Sequence, residues 1–388
     1  MREHTGPAAA RRPPLRLPEP AAKGDALEDV GSPALLVDLD AFESNLLQMR
    51  DLAAAAGVAL RPHAKAHKSV AIARAQMAQG AAGICCQKLS EAYPFAAAGI
   101  ASIHISNEFA GADKVAMAVE LAGHVALSIC ADDVRQVRAV GAAATAAGVK
   151  ITVLPEVDVG HGRCGVASRD ALSALADAIA AFPALRFGGL QAYHGPAQHI
   201  AVWAQRRQAA QRAAEAAHAY VRHLDARGIA CPVVTGGGTG TAEFDVGSGV
   251  YTEIQPGSYL FLDGHYGANE WMGQFRPVHS LFIAATVMST ARPGVVVCDV
   301  GLKTVAVDSG LPRLWSRDSN GSLRYVAAND EHGVLEVLNG DSHELLGGKL
   351  LLIPGHCDPT ANLHRHYVCF RQGRVAGLWD IDARGLSR

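Results

Sequence analysis

The sequence has no surplus of one charge: 35 Lys and Arg stand against 37 Asp and Glu, a formal net charge of -2 over 388 residues. That balance gives no electrostatic reason to expect nucleic acid or an anionic membrane as partner. No apolar run is long enough to cross a bilayer. The eight cysteines are scattered and include no C-x-x-C pair. Most lie inside apolar runs, so they are expected to be reduced core thiols of a cytoplasmic protein. Residues 1–30 are rich in Pro, Ala and Arg but lack the apolar centre of a secretory signal. They predict a flexible leader, one that packs on the fold or stays disordered. There is no repeat of solenoid period and no G-x-x-x-x-G-K-[ST] loop, which disfavours a nucleoside triphosphate.

What is present is a large apolar fraction, 49 % of the chain, enough for one large domain and a smaller one. From residue 33, short β-like runs alternate with Ala-rich stretches of helical spacing. The runs are "ALLVDLD" (34–40), "ALRPHAK" (59–65), "GICCQKL" (83–89), "SIHISNE" (102–108), "HVALSIC" (124–130), "KITVLPEVD" (150–158), "RFGGLQAY" (186–193) and "CPVVTGG" (231–237). Intervening helices open near Asp, Ser or Glu, as helix starts do. Repeated strand–helix units imply parallel strands with right-handed crossovers, and eight of them fit a (β/α)8 barrel over 31–268. A doubly wound open sheet is the alternative. Beyond residue 270 the texture changes to short β runs punctuated by Gly, Pro, Asn and Asp, which predicts an all-β domain over 269–388.

A barrel of this kind carries its chemistry where strands end on the C-terminal face. Polar residues collect at those ends: His63 and Lys65, Gln87 and Lys88, Asn107 and Glu108, then Glu156, Asp158 and Arg163, then Tyr193 and His194. "TGGGTGT" (235–241) follows the last run, and its backbone N–H groups and hydroxyls suit a phosphate. A lysine facing a phosphate loop across one rim is what pyridoxal phosphate needs, so Lys65 becomes the candidate anchor and Lys68 its competitor. In "PGHCDP", an extended segment would turn His356 and Asp358 to one side and Cys357 away. One imidazole and one carboxylate offer an open site for a divalent ion such as Mg, Mn or Co. His194 and His199, in "QAYHGPAQHI", are candidate general bases.

Together these segments resemble the D-threonine aldolase and D-serine dehydratase-like family of fold-type III pyridoxal phosphate enzymes, over nearly the whole chain after residue 30. The wording of 84–108 resembles the 3-hydroxy-D-aspartate aldolases most. The resemblance implies an alanine racemase-like barrel with a C-terminal β domain, in a cytoplasmic homodimer with its active site near the subunit interface. It puts Lys65 in the cofactor-lysine position, Arg163 near the ring hydroxyl, and Gln87, Tyr193, Gly238, Thr239, Gly257, Ser258 and Tyr266 around the cofactor. His356 and Asp358 are the implied metal ligands, and His199 the base, with His194 as runner-up. Dehydratases of the family have cysteine two residues after the metal histidine, whereas aldolases have aspartate, as here. The expected reaction is retro-aldol cleavage of a D-configured β-hydroxy-α-amino acid. The alternative is a D-serine or D-threo-3-hydroxyaspartate dehydratase; a racemase and a carrier protein are more distant readings. For a substrate β-carboxylate the candidate cations are His265 and Arg276.

Overall fold

The computed structural model describes residues 15–315 and 322–388. Two kinds of sheet organise it. The first strand, β1 (Ala34–Asp38), is followed by β2 (Ala59–Leu60), β3 (Ile84–Cys86), β4 (Ser102–Ile105), β5 (Ala126–Ala131) and β6 (Ile151–Pro155). Then come β7 (Leu185–Phe187), β8 (Leu190–Ala192), β9 (Val234–Gly236) and β10 (Glu253–Ile254). Strands β3 to β7 form one parallel run in chain order, and β2-β10-β9-β8 forms another. Parallel bridges His63–Cys85 and Glu156–Gln191 join the two runs into a closed barrel. β7 and β8 are two halves of one stave, broken at Gly188 and Gly189. Gly189 (φ +126°) passes so close to Val233 that a Cβ would lie 1.9 Å from its carbonyl oxygen, which leaves glycine as the residue that fits.

The helices between staves follow ordinary cap and face chemistry. Helix Arg169–Ala180 starts where the Ser168 hydroxyl accepts from Ala171 N at 3.1 Å, and it buries Leu172, Leu175, Ala176 and Ile179. That spacing is one face of a 3.6-residue helix laid on the barrel. Helix Val134–Ala147 is capped by Asp133 and ends on Gly148 at φ +68°, the left-handed stop that glycine provides.

The second sheet is mixed. It comprises β11 (Leu281–Arg292), β12 (Val295–Cys298), β13 (Arg313–Leu314), β14 (Leu323–Ala328), β15 (Gly333–Val337), β16 (Lys349–Ile353), β17 (His366–Arg371) and β18 (Arg374–Asp380). The order is β14-β15-β12-β11-β1-β17-β18, with β16 also on β11 and β13 on β16. Here the strand count read from the sequence needs correcting. β1, taken as the first barrel stave, instead pairs antiparallel with β11 and parallel with β17. The eighth stave is β10, two residues long, too short to show any period. The C-terminal region is all-β as expected, apart from helix Cys357–Leu363 and the turn Ser342–Leu345. Of the leader, 1–14 lies outside the described residues. Gly24 N and Leu27 N donate to the carbonyls of Val375 and Gly373 (2.8 and 2.9 Å), so this stretch runs along β18.

Candidate active site

A concavity of about 570 Å³ opens at the C-terminal rim of the barrel. Its wall includes Lys65, Gln87, Arg163, Tyr193, Gly238, Thr239, Gly257, Ser258 and Tyr266, all of the cofactor candidates. Nearly every wall residue follows the end of a stave, which is why segments far apart in sequence meet there. His63, Ser106, Gln191, Gly237 and Gln255 complete the wall.

Lys65 stands on a single 3-10 turn, Ala64–Ala66, directly after β2. His63 caps that turn: its Nδ1 accepts from Lys65 N at 3.3 Å, while its Nε2 lies 2.8 Å from Ser106 Oγ and 3.1 Å from Gln87 Oε1. Burial, aided by the Lys65 charge, holds His63 well below the usual histidine range, so it is neutral. The Lys65 ammonium is ion-paired with Asp358. Packing around the amine pulls its pKa down, but Asp358 and Tyr193 outweigh that and leave it raised. Lys68, the competing lysine, is committed elsewhere: it is buried and ion-paired to Glu91 at 2.9 Å.

Across the wall, Gly237, Gly238 and Thr239 follow β9, and Gly257 and Ser258 follow β10. Thr239 is 1 % exposed, and its hydroxyl has no hydrogen-bond partner. A Cβ on Gly238 would come within 2.5 Å of the Gln198 side chain. A glycine-rich turn of backbone N–H groups with an orphaned buried hydroxyl fits a phosphate group. Arg163 reaches over the Tyr193 ring, 5.7 Å from its centroid.

His356, Asp358 and His199 are not on the cavity wall; Asp358 contacts its Lys65 and Ser258, and His199 its Tyr266. The segment carrying the first two is not extended, as the sequence reading assumed. His356 is the N-cap of helix Cys357–Leu363, and Asp358 lies in its first turn. Pro359 fits there because first-turn N–H groups have no acceptor within the helix. An acidic residue is favoured in the first turn by the helix dipole. The pair is nonetheless close: His356, after Lys65, helps hold the Asp358 carboxyl well below the usual range despite its burial. Ser258 Oγ donates to Asp358 Oδ1 at 3.4 Å. His356 Nδ1 lies 2.7 Å from Asp308 Oδ2. A carboxylate on Nδ1 assigns the ring proton there and leaves Nε2 with its lone pair, the pattern of a metal-binding histidine. These two donors fit a divalent ion whose other positions are filled by water or substrate. Asp308 was not legible in the sequence, since nothing local links it to residue 356.

His199 stacks on His265 with ring centroids 3.7 Å apart and touches Tyr266 at 4.3 Å. Burial, His265 and His356 bring its pKa down to about 4, so it is a neutral imidazole at pH 7. His194 is placed differently. Its Nδ1 accepts from Ala197 N at 3.1 Å, capping the turn Gly195–His199, and it is not on the cavity wall. Arg276 is exposed and donates to the carbonyls of its own loop, Trp271 and Met272. One three-group cluster that would suit a metal, Glu108, Asp132 and Cys164, also lies at the rim. Beside it, burial and the Glu108 carboxylate raise Glu156 to about 9, so its carboxyl is protonated at neutral pH.

Comparison with known proteins bears on this site. Residues 37–264 match the model of the alanine racemase N-terminal domain, and 280–370 match a putative serine dehydratase domain. A D-threonine aldolase from Arthrobacter sp. is 50 % identical over 96 % of this chain and 98 % of its own. The chain belongs to the fold-type III pyridoxal phosphate family of D-threonine and 3-hydroxy-D-aspartate aldolases. A 3-hydroxy-D-aspartate aldolase from Paracoccus denitrificans is 40 % identical over 94 % of this chain and 95 % of its own. The crystal structure of a D-threonine aldolase from Filomicrobium marinum superposes with a TM-score of 0.91 at 43 % identity, covering 95 % of this chain and all of that one. The expected barrel plus β domain is therefore the fold of this family, and the chain is an enzyme, a carbon–carbon lyase. The identity is higher to the D-threonine aldolase than to the 3-hydroxy-D-aspartate aldolase.

Proposed function

We propose that this aldolase-family enzyme cleaves the Cα–Cβ bond of a D-configured β-hydroxy-α-amino acid. D-threonine would give glycine and acetaldehyde, and 3-hydroxy-D-aspartate would give glycine and glyoxylate. One observation carries the reading: the rim lysine, Lys65, is in contact with Asp358, two residues after the oriented imidazole of His356. The amine of a cofactor site and a His–Asp ligand pair thus share one locus, as a metal-assisted aldol cleavage requires.

Pyridoxal phosphate, when bound, supplies an aldehyde for the substrate amine and an electron sink for the pair left at Cα. Lys65 would hold it covalently; Gly238, Thr239, Gly257 and Ser258 would hold its phosphate, with Gln87, Arg163, Tyr193 and Tyr266 around the ring. His356 Nε2 and Asp358 would hold a divalent ion, Mg, Mn or Co, whose charge acidifies and orients the substrate β-hydroxyl. His199 is neutral and takes the β-hydroxyl proton on its imidazole as the Cβ carbonyl forms and the Cα–Cβ bond breaks. His194 is less suited, because its Nδ1 already serves as a cap. Once Cα takes up a proton, Lys65 would be the amine that displaces glycine.

The dehydratase alternative has less support. It would want a soft ligand two residues after His356, where Asp358 stands. The intervening Cys357 is fully buried, and burial with Asp263 and Asp358 pushes its thiol well above the usual range, so no thiolate is on offer. By the family resemblance the enzyme is a homodimer, and its eight cysteines, all free, favour a cytoplasmic one. Among the described residues no helix is long and apolar enough to cross a membrane. Chelation tests the metal role: EDTA should stop aldehyde release from D-threonine while the cofactor absorbance stays. Full activity in metal-free protein would overturn that assignment.

A further inference from the structure

Behind the phosphate cradle lies a cation that the reaction described above does not use. Arg206 is 0 % exposed, in the first turn of helix Trp203–Ala226, and no carboxylate pairs with it among the described residues. Its guanidinium is served by backbone carbonyls instead. Nε donates to Gly240 O at 2.9 Å, Nη1 to Ala201 O at 2.9 Å and to Ile200 O, and Nη2 to Glu270 O. Trp203 and Trp271 flank it, with Cζ 5.4 and 5.5 Å from their ring centroids.

A buried, unpaired charge is costly, and carbonyls satisfy its hydrogen bonds without neutralising it. The cradle has the opposite deficiency. Gly237, Gly238, Thr239, Gly257 and Ser258 are neutral donors, and a phosphate brings close to two negative charges. Arg206 holds the carbonyl of Gly240, the residue following Thr239 in that loop. Two carboxylates bear on the cation and its loop: Glu270, which accepts from Trp203 N at 2.8 Å and acts on Arg206 by its charge without bonding it, and Asp245, which accepts from the Thr241 hydroxyl. Burial raises Asp245 to about 7, so around neutral pH it only partly opposes the cation. The fork also spans three segments that meet at the site: the phosphate loop, the residues after His199, and Glu270, four residues beyond Tyr266.

We propose that Arg206 is a positioning residue whose buried charge is the electrostatic complement of the cofactor phosphate, acting through the loop it anchors. This rests on the pyridoxal phosphate reading above. The test compares Arg206→Lys, which keeps the charge, with Arg206→Gln, which keeps donors without it; both break the four-carbonyl fork. Binding of pyridoxal phosphate and of pyridoxal, which lacks the phosphate, is measured by absorbance titration of full-length protein stripped of cofactor. The Gln variant should lose about tenfold or more in preference for the phosphorylated form, about 1.4 kcal/mol, with pyridoxal affinity nearly unchanged. Inorganic phosphate should compete less well in that variant by a similar factor. The Lys variant should keep most of the preference. Equal losses for both ligands, or equal preferences in the two variants, would make Arg206 a structural clamp only and overturn the proposal. Should the Gln variant not fold, the Lys variant decides: a preference that falls about tenfold despite the retained charge refutes it. Wild-type protein with no preference for the phosphorylated form would instead overturn the cofactor reading.

Discussion

Replacing Asp308 by alanine removes a carboxylate that lies off the cavity wall, yet it should weaken metal binding. Asp308 Oδ2 lies 2.7 Å from His356 Nδ1. The carboxyl is held below the usual range because the bonds from His356 and Ser309 outweigh its partial burial, so it is ionised at neutral pH. That contact fixes the imidazole tautomer and makes Nε2 a better donor. Loss of such a partner costs about 10- to 100-fold in metal affinity, about 1.4–2.8 kcal/mol. Asp308 keeps 53 % of its side-chain surface exposed, so solvent screening favours the lower end. Ser309 Oγ, 3.3 Å from the same nitrogen, can replace only part of the interaction. Asp308→Asn keeps an acceptor and should fall between wild type and Asp308→Ala. The assay is manganese titration of chelator-treated protein, following the free-ion paramagnetic resonance signal. An Asp308→Ala variant that binds manganese as tightly as wild type would refute the assignment of His356 Nε2 as a ligand.

Lys65→Ala should abolish the absorbance of the covalently held cofactor; a surviving band would place the anchor elsewhere. His199→Gln should lower kcat by about 100-fold, the usual scale for a lost general base, and His194→Gln should leave it within a few-fold; the reverse order would exchange their roles. Asp245 gives a pH prediction. Burial raises its folded pKa to about 7, above the roughly 4 of a free aspartate carboxyl, so the folded state holds a proton that the unfolded state releases. Stability contributed by that proton is present below about pH 4 and is lost as pH rises to about 7. Asp245→Asn should therefore flatten the fall in melting temperature between pH 5 and 8, by at most about 4 kcal/mol in stability. Identical pH profiles for the two proteins would contradict it.

The strand–helix rhythm was legible because the amphipathic helices are long enough to show a period and most of the short staves lie within longer apolar runs. Its two errors have separate causes. β1 looks like any buried stave, since apolar residues cannot say which sheet they join; β10 is two residues and has no period to detect. The metal segment was misread because Pro359 suggests a turn as readily as the first turn of a helix. Most site residues that sit at stave ends were found from the sequence, although Ser106 after β4 and Gln255 after β10 were not. Asp308 and Arg206 were missed because each acts through a partner 48 or 34 residues away, His356 or Gly240. His63 was visible only as a neighbour of Lys65, and its cap on that turn needed the backbone to be seen.

The central claim is carbon–carbon cleavage rather than loss of the hydroxyl. Wild-type enzyme, loaded with pyridoxal phosphate and a divalent ion, should be incubated with D-threonine and with 3-hydroxy-D-aspartate, and glycine, aldehyde and ammonia quantified together. Glycine and aldehyde are expected in equal amounts with no ammonia. Ammonia and a keto acid without glycine would contradict it.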